Sequence, residues 1–147
     1  MAFIDASVVT IALPAIQADF GSPFALLQWV VNSYALTLGA LILVGGVAGD
    51  RFGRRRVFML GLCLFALASV GCALANSSIE LIAARAVKGV GAALLVPQSL
   101  AILSVAFPPG KRGRAIGMWA AASAVTTSLG PPLGGVLIDM LDWRWVF

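Results

Sequence analysis

The chain has 147 residues, of which 61% are hydrophobic and 11% charged. A soluble domain is about half apolar and a quarter charged, so this chain has too few charges to cover a water-facing surface, and lipid is the solvent its composition fits. The formal net charge of +4 sits mostly in two short clusters between apolar runs, which points to a membrane topology signal rather than to nucleic acid. The absence of His removes imidazole metal sites and His-based acid–base chemistry.

A spanning helix needs about 20 mostly apolar residues, and the sequence predicts an all-α, polytopic transmembrane bundle of about five spans. The first, residues 1–18, is short for a crossing and carries Asp5 in its apolar run. It has neither the basic lead-in nor the small-residue cleavage site of a signal peptide, so Met1 reads as something other than the native start. The second and third spans are 26–48 and 57–75. Cys63 and Cys72 lie nine positions apart in the third. At ~100° per residue they fall on opposite helix faces and are not expected to bridge. The fourth and fifth spans are 80–106 and 115–138, and 143–147 reads as the opening of a sixth. The whole is expected to be a partial N-terminal half, cut at both ends.

The connections are of two kinds. Residues 49–56 and 108–114 are basic and broken by Gly or Pro, and they hold seven of the ten Lys and Arg. The other connections share one basic residue, Arg144. By the positive-inside rule the two basic loops are expected to be cytoplasmic. Trp29, Trp143 and Trp145 then fall near the outer ends, where aromatic belts sit. Short loops predict antiparallel sequential neighbours.

Three charges lie within apolar runs: Asp5, Arg85 and Lys88. A charge near the bilayer centre costs about 2.5–3.5 kcal/mol on insertion scales, so such residues face a bundle interior or water and mark ion or substrate paths. Arg85, Lys88, Gly89, Ala92, Val96 and Ser99 recur at helical spacing and share one face of the fourth span. Pro97 is expected to kink that helix, with Gln98 and Ser99 beside the kink. At ~1.5 Å per residue Arg85 lies about 10 Å below the outer surface, Lys88 about 14 Å and Asp5 roughly 20 Å. Lys88 is the nearer to Asp5 in depth, and the two are expected to influence each other's protonation. The fifth span carries Gly130-Pro131-Pro132-Leu133-Gly134-Gly135, a poor helix former in water that neighbouring helices can accommodate in a membrane.

Four stretches, in order, resemble motifs of the major facilitator superfamily. Gly46 to Arg55 resembles the cytoplasmic signature between its second and third helices, with Ala48 for the usual Leu. Leu81 to Ala93 resembles its fourth-helix motif, with Arg85 at the intramembrane arginine and Lys88 for the usual Gln. Gly130-Pro131 with Gly134-Gly135 resembles the fifth-helix antiporter motif, with Thr126 for the usual Gly. Asp5 to Pro14 resembles the first-helix motif of the fourteen-helix drug:proton antiporter branch, with Ser7 and Thr10 for the usual Thr and Asn.

The resemblance implies a proton-coupled antiporter that exports multiple drugs or hydrophobic cations across the cell membrane. Asp5, Arg85, Lys88 and Gln98 would lie on the proton and substrate path. Gly46, Asp50, Arg51, Gly53, Arg54 and Arg55 would form a cytoplasmic gating network, and Gly130, Pro131, Gly134 and Gly135 the antiporter kink. The expected partners are the lipid bilayer, protons, a hydrophobic or cationic small molecule and the missing C-terminal half of the same polypeptide. No cofactor, metal, nucleic acid or enzymatic activity is expected. The rival readings are a carrier of another substrate class on the same fold and a non-transporting remnant.

Overall fold

Long apolar runs with no strand-like alternation fold here as helices. The structure, a computed structural model, describes residues 2–147, without the side chains of residues 2–4, 6 and 139. Met1, where the first span is expected to begin, lies outside the described residues. The helices are α1 (Ala2–Phe20), α2 (Phe24–Phe52), α3 (Arg54–Ala73), α4 (Ser78–Ala106) and α5 (Pro109–Met140), followed by a 3₁₀ turn, Trp143–Val146. By length and composition α2, α3, α4 and α5 are able to cross a membrane, whereas the apolar part of α1, Ser7–Phe20, is shorter.

Local chemistry sets the helix ends. Gly21 closes α1 with φ +58 and donates its N–H to the Gln17 carbonyl at 2.9 Å, the left-handed stop that favours glycine. Gly53, with φ +95, is the single residue between α2 and α3. At the start of α4 the Ser77 hydroxyl accepts from the Glu80 N–H, and the Glu80 carboxylate accepts from the Asn76 N–H, a near relative of the capping box. Pro109 opens α5, where its missing N–H costs nothing. Several helices overrun their apolar stretches: Arg54, Arg55 and Arg56 form the first turn of α3, and α5 starts six residues before Ala115. Lipid thickness limits the apolar run, not the hydrogen-bonded backbone, which continues into polar surroundings.

Short loops join the helices in sequence, but contact follows surface shape. α4 packs chiefly against α2 and α3, and α1 against α5, while α1 with α2 and α4 with α5 touch little. Sequential neighbours are therefore not always packing partners, because a short loop fixes only the helix ends. The close pairs are lined by small residues, as membrane helices require in the absence of a hydrophobic drive between them. A Cβ on Gly91 of α4 would lie 2.8 Å from the Phe65 amide nitrogen and 3.1 Å from the Gly61 carbonyl oxygen of α3. Backbone is the obstacle there, so Gly91→Ala is expected to lower stability by about 1–3 kcal/mol. Gly39→Ala, which would meet nothing within 4 Å, should leave it unchanged; thermal unfolding of the purified complete protein reads both.

The interior prolines are accommodated across these seams. Pro97 cannot donate to the Ala93 carbonyl four residues back, and Gly45 of α2 stands so close to that oxygen that a Cβ would overlap it. Its Cα–H is thereby brought against the carbonyl that Pro97 leaves free. Pro131 likewise frees the Thr127 carbonyl, and the Ser7 hydroxyl of α1 donates to it at 3.4 Å. α5 runs as one continuous helix through Pro131 and Pro132.

The outer surface is apolar: Leu43, Leu67 and Met140 are among many large exposed side chains, while Asp5, Arg85, Lys88 and Gln98 are buried. This inverts a soluble fold. Trp143 departs from the expected aromatic belt. It is 3% exposed in a core with Val9, Ile16, Leu27 and Leu81, because its ring stands edge-on to Phe20 and its Nε1 donates to the Asp19 carboxylate at 3.1 Å. Trp29 and Trp145 are exposed.

Candidate functional site

Arg85 and Lys88 are three residues apart on α4, so they project from one face about a turn apart, and Asp5 of α1 meets both. Its two oxygens divide between them. Arg85 Nη1 is 3.3 Å from Asp5 Oδ2, and Lys88 Nζ is 2.5 Å from Asp5 Oδ1. All three are buried, at 5% exposure for Asp5, 0% for Arg85 and 1% for Lys88. Arg85 Nε also donates to the Val30 carbonyl of α2, and its guanidinium lies 5.1 Å from the centre of the Tyr34 ring and 5.9 Å from that of Phe147. The Lys88 ammonium is 5.0 Å from each of the Phe65 and Phe147 ring centres. Arg85 Nη2 has no hydrogen-bond partner among the described residues. Two formal positive charges therefore face one negative, and only a geometry this close offsets the cost of removing three ions from water.

Asp5 and Lys88 open onto a cavity of about 440 Å³, lined also by Phe65, Ser69, Gly134 and Phe147. Its walls are apolar apart from those charges and the Ser69 hydroxyl. A Cβ on Gly134 would run into the Val8 side chain, so this glycine of the Gly-Pro segment lets α5 close against α1. Gly135 faces open space and Gly130 is buried.

Gln98 is not brought to this cavity. It lies ten residues beyond Lys88, about 15 Å along the helix, where its Nε2 donates to the Gly45 carbonyl at 2.7 Å and its Oε1 has no partner among the described residues. It ties α4 to the glycine face of α2, with Gly46 against Pro97. The basic segment after it is a separate site. Arg54 pairs with Asp50 at 3.0 Å and donates to the Ala101 carbonyl at the end of α4 at 3.2 Å. Arg51 lies over Phe52, and Arg55 is exposed.

Some participants had little sequence signal. Phe65 and Phe147 are ordinary apolar residues until the fold sets them beside Lys88. The opposite end of the bundle holds a further network, in which Arg144 Nη1 reaches Asp19 at 3.0 Å and Asp142 at 3.5 Å. Asp19, the lone acid of the first connection, was its available sign.

Comparison with known proteins gives this geometry its context. Residues 1–147 match the profile of the Major Facilitator Superfamily. The chain belongs to that superfamily. Over its full length it is 42% identical to an uncharacterized MFS-type transporter of Mycobacterium tuberculosis, 45% to a multidrug resistance protein of the same organism, and 39% to a tetracenomycin C resistance and export protein of Streptomyces glaucescens. It spans 25%, 28% and 27% of the length of those three relatives. With four helices of membrane-crossing length among the described residues, this is a multi-pass membrane protein of a transporter family.

Proposed function

We propose that this chain forms part of a proton-coupled antiporter that exports hydrophobic, drug-like compounds, hydrophobic cations among them, through the cavity beside Asp5. The observation that carries the reading is Asp5 itself: a buried carboxylate held by two cations and open to an apolar chamber. A carboxylate can take up and release a proton, and each change alters the charge that Arg85 and Lys88 must balance. Protonation and substrate occupancy are thereby linked at one place, as exchange requires. The relatives' names, multidrug resistance and tetracenomycin C export, support the substrate class. Gly134 closes the α1–α5 seam against Val8, and the segment it shares with Gly130, Pro131 and Gly135 adjusts as the chamber opens and closes. Asp50 and Arg54, with Gly46, Arg51, Gly53 and Arg55 about them, form a gating network on the cytoplasmic side, the assignment the positive-inside rule supports for both basic loops.

The rest of the longer polypeptide completes the path, since superfamily substrate sites lie between two halves. The test uses that complete protein in proteoliposomes with an imposed pH gradient and a hydrophobic fluorescent dye. Dye should move against its gradient while protons move the other way, and a protonophore should stop it. Dye movement that ignores the gradient would refute proton coupling.

A further inference from the structure

The surroundings of the Lys88 ammonium are those of a ligand. Its Nζ sits 2.5 Å from one carboxylate oxygen of Asp5 and 5.0 Å from the centres of two rings, Phe65 and Phe147. A carboxylate with aromatic faces is the chemistry by which proteins recognise organic cations. Asp5, Phe65 and Phe147 also line the 440 Å³ cavity, so the same three groups are within reach of a molecule entering it. Arg85 is placed differently. It holds the other Asp5 oxygen, is anchored on the Val30 carbonyl and does not line the cavity. If Lys88 left, Asp5 would keep its Arg85 partner and present Oδ1 to the chamber.

We propose that Asp5 Oδ1, Phe65 and Phe147 form a binding subsite for a hydrophobic organic cation, and that Lys88 is its tethered occupant, a built-in competitor that substrate displaces. The inference rests on the reading of this cavity as the substrate path and adds the residue that sets its selectivity. With the ammonium in place the three ionised side chains sum to +1, which repels a second cation in an apolar chamber. A weakly cationic compound is rejected, and one with enough apolar surface to displace Lys88 is admitted. Lys88 then acts as a threshold: it weakens the binding of every cation and favours those with the largest hydrophobic contribution.

The test is equilibrium binding of tetraphenylphosphonium and tetraphenylborate, probes of like shape and opposite charge, to the complete protein in lipid nanodiscs. Lys88→Gln should bind tetraphenylphosphonium at least about tenfold more tightly than wild type. Lys88→Arg, which keeps the charge, should stay near wild type. Adding Phe65→Leu to Lys88→Gln should return much of the gain. A misfolded variant loses binding, so a gain cannot arise that way. The proposal is overturned if Lys88→Gln leaves tetraphenylphosphonium affinity unchanged or lowers it. Weakened tetraphenylborate binding as the sole effect would instead make Lys88 an anchor for anions, and overturns it equally. Binding needs no gradient, so a gain in affinity in a protein that fails the proteoliposome assay would sink proton coupling and leave the subsite standing.

Discussion

Asp5→Asn is expected to abolish gradient-driven transport and to destabilise the protein by about 3–5 kcal/mol, the range for removing one partner of a buried ion pair. Asn matches Asp in shape and retains hydrogen-bonding capacity, so packing against Arg85 and Lys88 is little disturbed. It cannot take up a proton, and it removes the single negative charge of the cluster. The formal sum rises from +1 to +2 in a site where each charge is at most 5% exposed. Loss of coupling and loss of fold can be told apart with a second change. Asp5→Asn together with Lys88→Gln returns the sum to +1. The double variant should recover most of the lost thermal stability and still fail to concentrate dye against its gradient. Recovery of both would show that Asp5 is a structural counter-ion, with the proton carried elsewhere.

The parts of this arrangement that were legible in the sequence are those set by composition and period. Membrane-crossing helices follow from runs of apolar residues, and the Gly- and Pro-broken basic segments 49–56 and 108–114 follow from composition. The shared face of Arg85 and Lys88 follows from their spacing. Depth counting placed Lys88 near the level of Asp5, and the structure sets them in contact. It also sets Arg85 on the other oxygen, which depth alone disfavoured, because a long guanidinium side chain spans more than a helical turn. Partner choice was not legible. α1 against α5 and α2 against α4 are decided by complementary small surfaces, such as Gly45 against Ala93 and Gly134 against Val8, which have no periodic signature in one chain. The same limit hid the roles of Phe65 and Phe147. Trp143 departs from the belt for a related reason: an aromatic near a helix end fits a membrane belt until an acid of another helix, here Asp19, accepts its N–H and holds the ring against the bundle.

Arg85 should respond differently from Asp5, and the contrast is a second test of the charge arithmetic. Arg85→Met replaces a long buried side chain with an apolar one of similar reach and lowers the formal sum from +1 to 0. Asp5 keeps Lys88 at 2.5 Å, so no charge is left alone. The Val30 carbonyl loses only an additional donor, since it lies within α2 and has its own helical partner in the ladder. Removing one member of a buried ion pair is costly because it leaves a charge uncompensated; here Asp5 and Lys88 still compensate each other, and the stability change is expected to stay within about 1 kcal/mol. Transport should nevertheless fall by at least about tenfold, because Lys88 alone would then hold the carboxylate, and displacing it would leave Asp5 with no second cation when it must release its proton. Thermal unfolding and gradient-driven dye accumulation, measured on the same preparation, separate the two effects. A variant as stable as wild type but uncoupled would assign Arg85 to proton exchange. If Arg85→Met retained full coupled transport, the arginine would be a packing element and Lys88 the cation that matters.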